Sequence, residues 1–295
     1  MSKKLFILVM IIVAILHILY LTYPSLTEEF PNAYRVLLAI DIGIMFQLIS
    51  HYFPIKTYRI QKITFIDSIL VIIFISYFAI YEEHIAPEII LYLESFDSIY
   101  STQNIFLNVP IFLQVIIYLL LADLFVYFTH RLAHNKYLWS THAYHHYPKT
   151  INWVSGLKGS PAHYMILLVP YTIVACIVLL KMNASYALFL LILDIAYQHF
   201  THTNIRLPYS KYIEYVFVTP RVHLGHHHSN IDHTNSNYGL MFTFWDRLFK
   251  TYKDPENYTG KEVFGIDYEP NKIALFLGFF AGNPNRSGEQ EKSKE

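Results

Sequence analysis

The sequence is poor in cysteine and in charged residues. Its single cysteine, Cys176, forms no intramolecular disulfide, which excludes a disulfide-rich secreted scaffold and also a cysteine-based zinc or iron–sulfur site. Charged residues make up only 15% of the 295 residues, against roughly 25% in soluble domains, and hydrophobic residues make up 54%. Lys and Arg balance Asp and Glu at 22 each, so no net charge attracts a polyanion and no nucleic-acid partner is expected. The composition indicates a membrane protein.

Six segments are apolar and close to the ~20 residues that a transmembrane helix needs. They are Leu5–Tyr23, Val36–Phe53, Phe65–Tyr81, Val109–Phe128, Tyr164–Leu180 and Ala184–Phe200. We therefore predict an all-α integral membrane protein of about six transmembrane helices, with a cytoplasmic helical cap. A four-span arrangement, with the first or third segment lying in the interface, is left open.

The placement of Lys and Arg predicts the orientation. With the N-terminus inside, nine of these cations fall on the cytoplasmic side, and only Arg35 and Lys181 fall outside. The long outer loop 82–108 then carries five carboxylates and no Lys or Arg. Both termini are predicted to be cytoplasmic.

Histidine is concentrated in one part of the chain. Thirteen of the sixteen histidines lie between His130 and His233. Most of them form four groups: His130-Arg-Leu-Ala-His134, His142-Ala-Tyr-His145-His146, His199-Phe-Thr-His202 and His223-Leu-Gly-His226-His227. The chain crosses the membrane twice between the second and third groups, so all four groups are expected at one face of the bilayer.

The spacings suit helices that carry ligands for two metal ions. Residues three or four apart share a helix face, so His130 and His134 can point at one centre. His145 and His146 diverge enough to serve two neighbouring centres. Imidazole binds zinc, copper, iron and nickel alike, so ligand type leaves the metal open, but eight or nine histidines exceed one tetrahedral zinc and suffice for two metals. The zinc-hydrolase pattern His-Glu-x-x-His and the di-iron pattern Glu-x-x-His are absent from the sequence.

These motifs resemble those of the fatty acid hydroxylase superfamily, which includes sterol desaturases, C4-methylsterol oxidases and alkylglycerol monooxygenases. The resemblance covers about residues 109–252 and extends to Asn237-Tyr238-Gly239 and Trp245-Asp246-Arg247 after the last histidine group. It implies a membrane-bound, O₂-dependent, non-haem di-iron oxidoreductase that hydroxylates a C–H bond of a fatty acyl, sterol-like or ether lipid. The segment Asn152-Trp-Val-Ser-Gly156 resembles bacterial members, which implies a bacterial inner membrane rather than the endoplasmic reticulum. The metal ligands that it implies are His130, His134, His142, His145, His146, His202, His223, His226 and His227.

Two intramembrane carboxylates are candidate partners of the imidazoles. Asp123 precedes His130 by seven residues and Asp194 precedes His202 by eight, which keeps each carboxylate on the helical face of its histidine. We predict that both accept hydrogen bonds from imidazole N–H groups, with a helix–helix hydrogen bond as the alternative. For Asp246 a structural cap is favoured. His163, His199, His228 and His233 are left unassigned.

The remaining expectations concern domains, partners and rival functions. We predict membrane spans and an outer loop in 1–108, a histidine-box catalytic domain in 109–252, a cytoplasmic segment in 253–282 and a disordered tail in 283–295. No dinucleotide fingerprint or cytochrome b5 motif is present, so an external ferredoxin or cytochrome b5-like donor is expected. A desaturase with the same site, a polytopic metal transporter and a zinc-dependent membrane hydrolase are the alternatives. The oligomeric state is not readable from the sequence.

Overall fold

The computed structural model describes residues 15, 19, 33–55, 65–179, 184–255, 263–266 and 271–278. Within these residues the chain is helical, and extended pairing is limited to isolated bridges such as Phe217 with Phe242. The prediction of an all-α protein is confirmed for this part of the chain. The helices are α1 Ala33–Tyr52, α2 Phe65–Ile80, α3 Ala86–Glu94, α4 Asp97–Phe106, α5 Ile111–Ala133, α6 Trp139–His146, α7 Pro161–Val178, α8 Ala184–Thr201, α9 Ser210–Ile213, α10 Pro220–His226, α11 Ile231–Thr234, α12 Phe244–Leu248 and α13 Lys272–Phe276.

Three described helical stretches are long and apolar enough to cross a membrane: Ile69–Glu94, Ile111–Ala133 and Pro161–Val178. The shorter helix Leu37–Tyr52 is also apolar. The predicted first span, Leu5–Tyr23, lies outside the described residues apart from two positions. The choice between six and four spans therefore stays a prediction.

The helix of the third predicted segment, Phe65–Tyr81, continues past its predicted end. A π-helical turn, Tyr81–Ile85, joins α2 to α3, and α4 follows directly, so most of the predicted outer loop 82–108 is helical. Glu82 and Glu83 end the apolar run, but glutamate is a good helix former and does not stop the helix. Pro87 lies in the first turn of α3, where its missing N–H is tolerated.

The helices around the histidines are held by buried packing and by side-chain caps. α5 packs along α7, and the short helix α6 begins six residues after α5 ends. Ser160 caps α7 by accepting a hydrogen bond from the backbone N–H of His163, and its hydroxyl donates to the carbonyl of Thr141 on α6 at 2.5 Å. The start of α7 is thereby fixed to the helix that carries His142, His145 and His146.

Part of the C-terminal segment packs onto the histidine helices. Leu275 and Phe276 of α13 join the buried cluster that contains Trp139 and Tyr144 of α6. The backbone N–H of Gly265 donates to the carbonyl of His227 at 3.1 Å. Gly265 has φ +84°, and a Cβ there would lie 2.9 Å from the carbonyl oxygen of Tyr147, so a glycine is required at this close approach.

Candidate metal centre

The histidines reach the site from the ends of several helices. His130 lies in the last turn of α5, and His134 caps that helix. His142, His145 and His146 lie on α6, His202 directly follows α8, and His223 and His226 lie on α10 with His227 as its cap. All of these side chains are buried. Helix ends from four places in the sequence thus meet at one point.

The nine histidines named from the sequence form two groups in the structure. Within each group the candidate ligand atoms all lie within 4.8 Å of one another. The five-histidine group consists of His130, His134, His142, His146 and His226, and the four-histidine group consists of His145, His202, His223 and His227. The groups are adjacent, because the ring of His146 stacks on that of His227 with centroids 4.4 Å apart.

Backbone carbonyls hold the Nδ1 atoms of four of these rings. Nδ1 of His130 donates to the carbonyl of Tyr238 at 2.7 Å, and Nδ1 of His226 donates to that of Ser236 at 2.7 Å. His145 donates to Lys158 at 3.0 Å, and His202 donates to Gln198 at 2.8 Å. A neutral imidazole that donates from Nδ1 presents a lone pair at Nε2, which is the state of a metal ligand.

The Nε2 atoms meet at distances that suit a shared cation. Nε2 of His145 lies 3.2 Å from Nε2 of His202, although the Nδ1 bonds leave a lone pair on both atoms. Two facing lone pairs repel, and a cation between them turns that repulsion into coordination. Nitrogens bound side by side to one metal at ~2.1 Å lie about 3.0 to 3.4 Å apart. The contacts from His142 Nε2 to His130 Nε2 and His146 Nε2, at 3.1 and 3.0 Å, fall in that range.

A buried nitrogen without a hydrogen-bond partner also indicates a cation site. Nε2 of His226 is buried and has no hydrogen-bond partner among the described residues, although its Nδ1 is satisfied. A buried polar nitrogen without a partner is costly. A metal ion in the five-histidine group would satisfy it. The donor set of the two groups therefore fits two metal ions.

Burial also sets the charge of the site. Desolvation lowers the pKa of His202 to about 4. It also lowers the pKa of seven other histidines of the two groups, all outside the membrane-spanning helices, well below the ordinary value. These rings are His134, His142, His145, His146, His223, His226 and His227. They are neutral at pH 7, which is the form of imidazole that coordinates metal ions.

One apolar cavity of about 410 Å³ opens onto both groups. His130 and His142 of the five-histidine group and His145 and His202 of the four-histidine group line it. Its other walls include Leu167, Leu168, Leu190 and Leu193. The volume lies within the ~300–1,000 Å³ range of small-molecule sites, and the lining suits an alkyl chain.

Residues 115–251 match the family model described as fatty acid hydroxylase. This range includes all nine histidines of the two groups. This part of the chain is similar to the fatty acid hydroxylase superfamily. The resemblance inferred from the motifs is thus confirmed.

Three characterised proteins show similarity to the chain. It is 30% identical to ornithine lipid hydroxylase OlsE of Rhizobium tropici over 62% of the chain and 54% of the relative. It is 28% identical to alkylglycerol monooxygenase of Danio rerio, over 50% of the chain and 31% of the relative, and 28% identical to human lathosterol oxidase, over 50% and 48%. The chain thus spans from a third to about half of these relatives. No solved structure matches it.

The two carboxylates predicted to accept from imidazoles have other surroundings in the structure. Asp123 accepts hydrogen bonds from the backbone N–H groups of Met241 at 2.8 Å and Phe242 at 3.0 Å. Asp194 has no hydrogen bond with a described residue and lines the cavity. The acceptors observed for imidazole Nδ1 are backbone carbonyls instead, which a sequence pattern of side chains does not reveal.

Asp246 has the structural role that was favoured for it. Its two carboxylate oxygens accept hydrogen bonds from the backbone N–H groups of Tyr238 and Gly239, both at 2.8 Å. Together with Asp123 it fixes the turn Tyr238–Phe242, whose first carbonyl holds His130. A Cβ at Gly239 would lie 2.3 Å from the carbonyl oxygen of Phe242, so the turn closes only around a glycine.

The four unassigned histidines separate into two kinds. His163 is buried in the first turn of α7, and its Nδ1 lies 2.8 Å from Nδ1 of His142. The sequence signal for this placement is the pair Ser160-Pro161, because a serine cap followed by proline at the first helical position predicts a helix that begins just before His163. His199, His228 and His233 lie outside both groups, with His199 Nε2 bonded to the carbonyl of Ala39 at 3.0 Å.

Proposed function

We propose that this protein is a membrane-bound, O₂-dependent lipid hydroxylase with a non-haem di-iron centre. The observation that carries the proposal is that both histidine groups open into the same apolar cavity. The named relatives, an ornithine lipid hydroxylase, an alkylglycerol monooxygenase and a lathosterol oxidase, support a lipid as the substrate. The lipid is a fatty acyl, sterol-like or ether lipid.

The two histidine groups are the proposed ligands of the iron ions. His130, His134, His142, His146 and His226 would hold one ion, and His145, His202, His223 and His227 the other. With electrons from an external donor, a di-iron centre supplies the activation of O₂ that the oxidation of a C–H bond requires. An all-imidazole shell is neutral, so it adds no negative charge of its own to the centre.

The protein's own residues orient the ligands and exclude water. Nδ1 contacts to the carbonyls of Tyr238, Lys158 and Gln198 fix the tautomer and the direction of three rings. The leucine-rich cavity binds an alkyl chain and keeps water away from the reacting carbon. This shielding favours oxidation of the lipid over loss of the oxidant to solvent.

The proposal includes a place in the membrane and an electron partner. We propose that the histidine-box domain, residues 109–252, carries its histidines at the cytoplasmic face. There a separate ferredoxin or cytochrome b5-like protein would dock on a surface that includes Arg131 and Lys136, both exposed. The sequence contains no dinucleotide fingerprint or cytochrome b5 motif that would replace such a donor.

Mass spectrometry of lipids from cells grown under ¹⁸O₂ tests the proposal. Cells expressing the wild type are compared with cells expressing His145→Ala, with an electron donor supplied in both. We expect a lipid with one added ¹⁸O atom only in the wild-type cells. A lipid lacking two hydrogens would assign desaturation to the same site, and identical lipidomes would contradict an oxidative function.

A further inference from the structure

The cavity wall carries polar side chains that the proposed metal site does not use. Asp194, Gln198, Tyr118 and Tyr171 all line it. No hydrogen bond joins any of these four side chains to another part of the chain that the structure describes, although the backbone carbonyl of Gln198 holds His202. Asp194 is accessible at the cavity, so it is not sealed against a neighbouring helix.

The position of Asp194 relates it to the metal groups. Asp194, Gln198 and His202 are spaced four apart along α8 and its end, so they share one face of the helix. Eight residues at 1.5 Å each place Asp194 ~12 Å along the helix from His202. The carboxyl group therefore lies at a fixed distance from the four-histidine group, on the wall that the two share.

A carboxyl group in an apolar cavity requires a partner. An unpaired carboxylate at membrane depth is expensive, and such residues are functional candidates for that reason. An ionised carboxylate is only an acceptor of hydrogen bonds, so its partner must be a donor. Tyr118 and Tyr171 line the same cavity as Asp194, and their ring centroids lie 6.3 Å apart, so two phenol groups add to the polar part of this wall.

We propose that Asp194, flanked by Tyr118 and Tyr171, binds a hydrogen-bond donor of the lipid substrate, either a hydroxyl group or a protonated amine. This inference rests on the proposed function. The donor would be held at Asp194 while the alkyl chain extends along the leucine-lined cavity towards His202. The distance of ~12 Å then selects the carbon that is oxidised. Lipids without a donor at that distance would bind weakly and in no fixed register.

Displacement of tritiated hexadecan-1-ol from the purified full-length chain in dodecyl maltoside tests this site. The competitors are hexadecan-1-ol, hexadecylamine and 1-methoxyhexadecane, each corrected for partition into protein-free micelles. The methyl ether keeps the chain and the oxygen but cannot donate. Because hydrogen bonds to charged groups contribute ~1.5–3 kcal/mol, we expect the alcohol or the amine to bind at least about tenfold more tightly than the ether.

Substitutions then assign the preference to Asp194. Asp194→Leu should reduce the preference to less than about twofold, while Asp97→Asn, an exposed change at the start of α4, should leave it intact. Asp194→Asn distinguishes the two donors, because it keeps an acceptor for a hydroxyl but loses the charge that attracts an amine. Equal binding of all three competitors to the wild type, or a preference that survives in Asp194→Leu, would overturn the proposal.

The outcome is separable from that of the ¹⁸O₂ experiment. Absence of a donor preference in the wild-type chain, with labelled lipid still formed, would overturn the role of Asp194 alone. A donor preference without any oxidised lipid would overturn the oxidative function and leave the binding site standing. Equal binding of the three competitors to the wild-type chain would overturn the proposal even if Asp194→Leu fails to fold, and Asp194→Asn then serves as the second variant.

Discussion

At the scale of single residues, the backbone decides which ring nitrogen of a histidine points into its histidine group. Carbonyls of Tyr238, Lys158, Gln198 and Ser236 each accept from an Nδ1, which leaves Nε2 pointing into a group. His142 differs, because its Nδ1 contacts another histidine, His163. These contacts set the direction and basicity of the rings, so residues that bind no metal should still affect metal retention.

His163 provides a direct test of that view. Loss of its contact with His142 in His163→Ala should lower metal affinity by about 10- to 100-fold, the usual effect of removing a partner of a ligand. His199→Ala is the matched control, because His199 is equally buried but bonds to α1 rather than to a ligand. Competition with a chelator measures both affinities. Equal losses in the two variants would contradict the assigned role of His163.

Asp246 tests the turn that positions His130. In Asp246→Ala the buried N–H groups of Tyr238 and Gly239 lose a charged acceptor, which should destabilise the protein by about 3 kcal/mol. Asp232→Ala, an exposed change nearby, should fall within ~0.5 kcal/mol of the wild type. Reversible unfolding in mixed micelles gives both values. A small effect at Asp246 would show that the turn forms without it.

At the scale of elements, the start of α7 joins the cap of one helix to the position of another. The hydroxyl of Ser160 accepts from His163 N and donates to Thr141 O, so α7 and α6 are aligned by one side chain. Ser160→Ala should cost about 1–2 kcal/mol, as the loss of a helix cap does, and Ser160→Thr should restore most of it. Unfolding in mixed micelles checks the pair. An alanine variant as stable as the threonine variant would contradict this role.

Helix ends were harder to predict than helix positions. Apolar runs located α2, α5, α7 and α8, because burial in lipid or protein needs a continuous apolar surface. The π-helical turn Tyr81–Ile85 and the extension to Glu94 were missed, since hydropathy falls where charged residues begin even though the helix continues. The end of a span and the end of a helix are different properties.

At the scale of the whole molecule, spacing predicted the grouping of histidines but not their support. Residues four apart on a helix share a face, whereas adjacent residues diverge. The sequence therefore predicted that His130 and His134 lie in one group and that His145 and His146 lie in different groups. The carbonyls that hold Nδ1 and the contact of His163 depend on how distant segments pack. The surroundings of Asp123 and Asp194 could not be predicted for the same reason: spacing gives a helix face but not what lies opposite.

Metal analysis of the purified chain tests the central claim, that the nine histidines hold two iron ions. Inductively coupled plasma mass spectrometry should find about two iron ions per wild-type chain. His226→Ala and His223→Ala, one from each group, should each retain about one. His228→Ala, which lies outside both groups, should retain two. Stoichiometric zinc in place of iron, or equal metal loss in all three variants, would contradict the account.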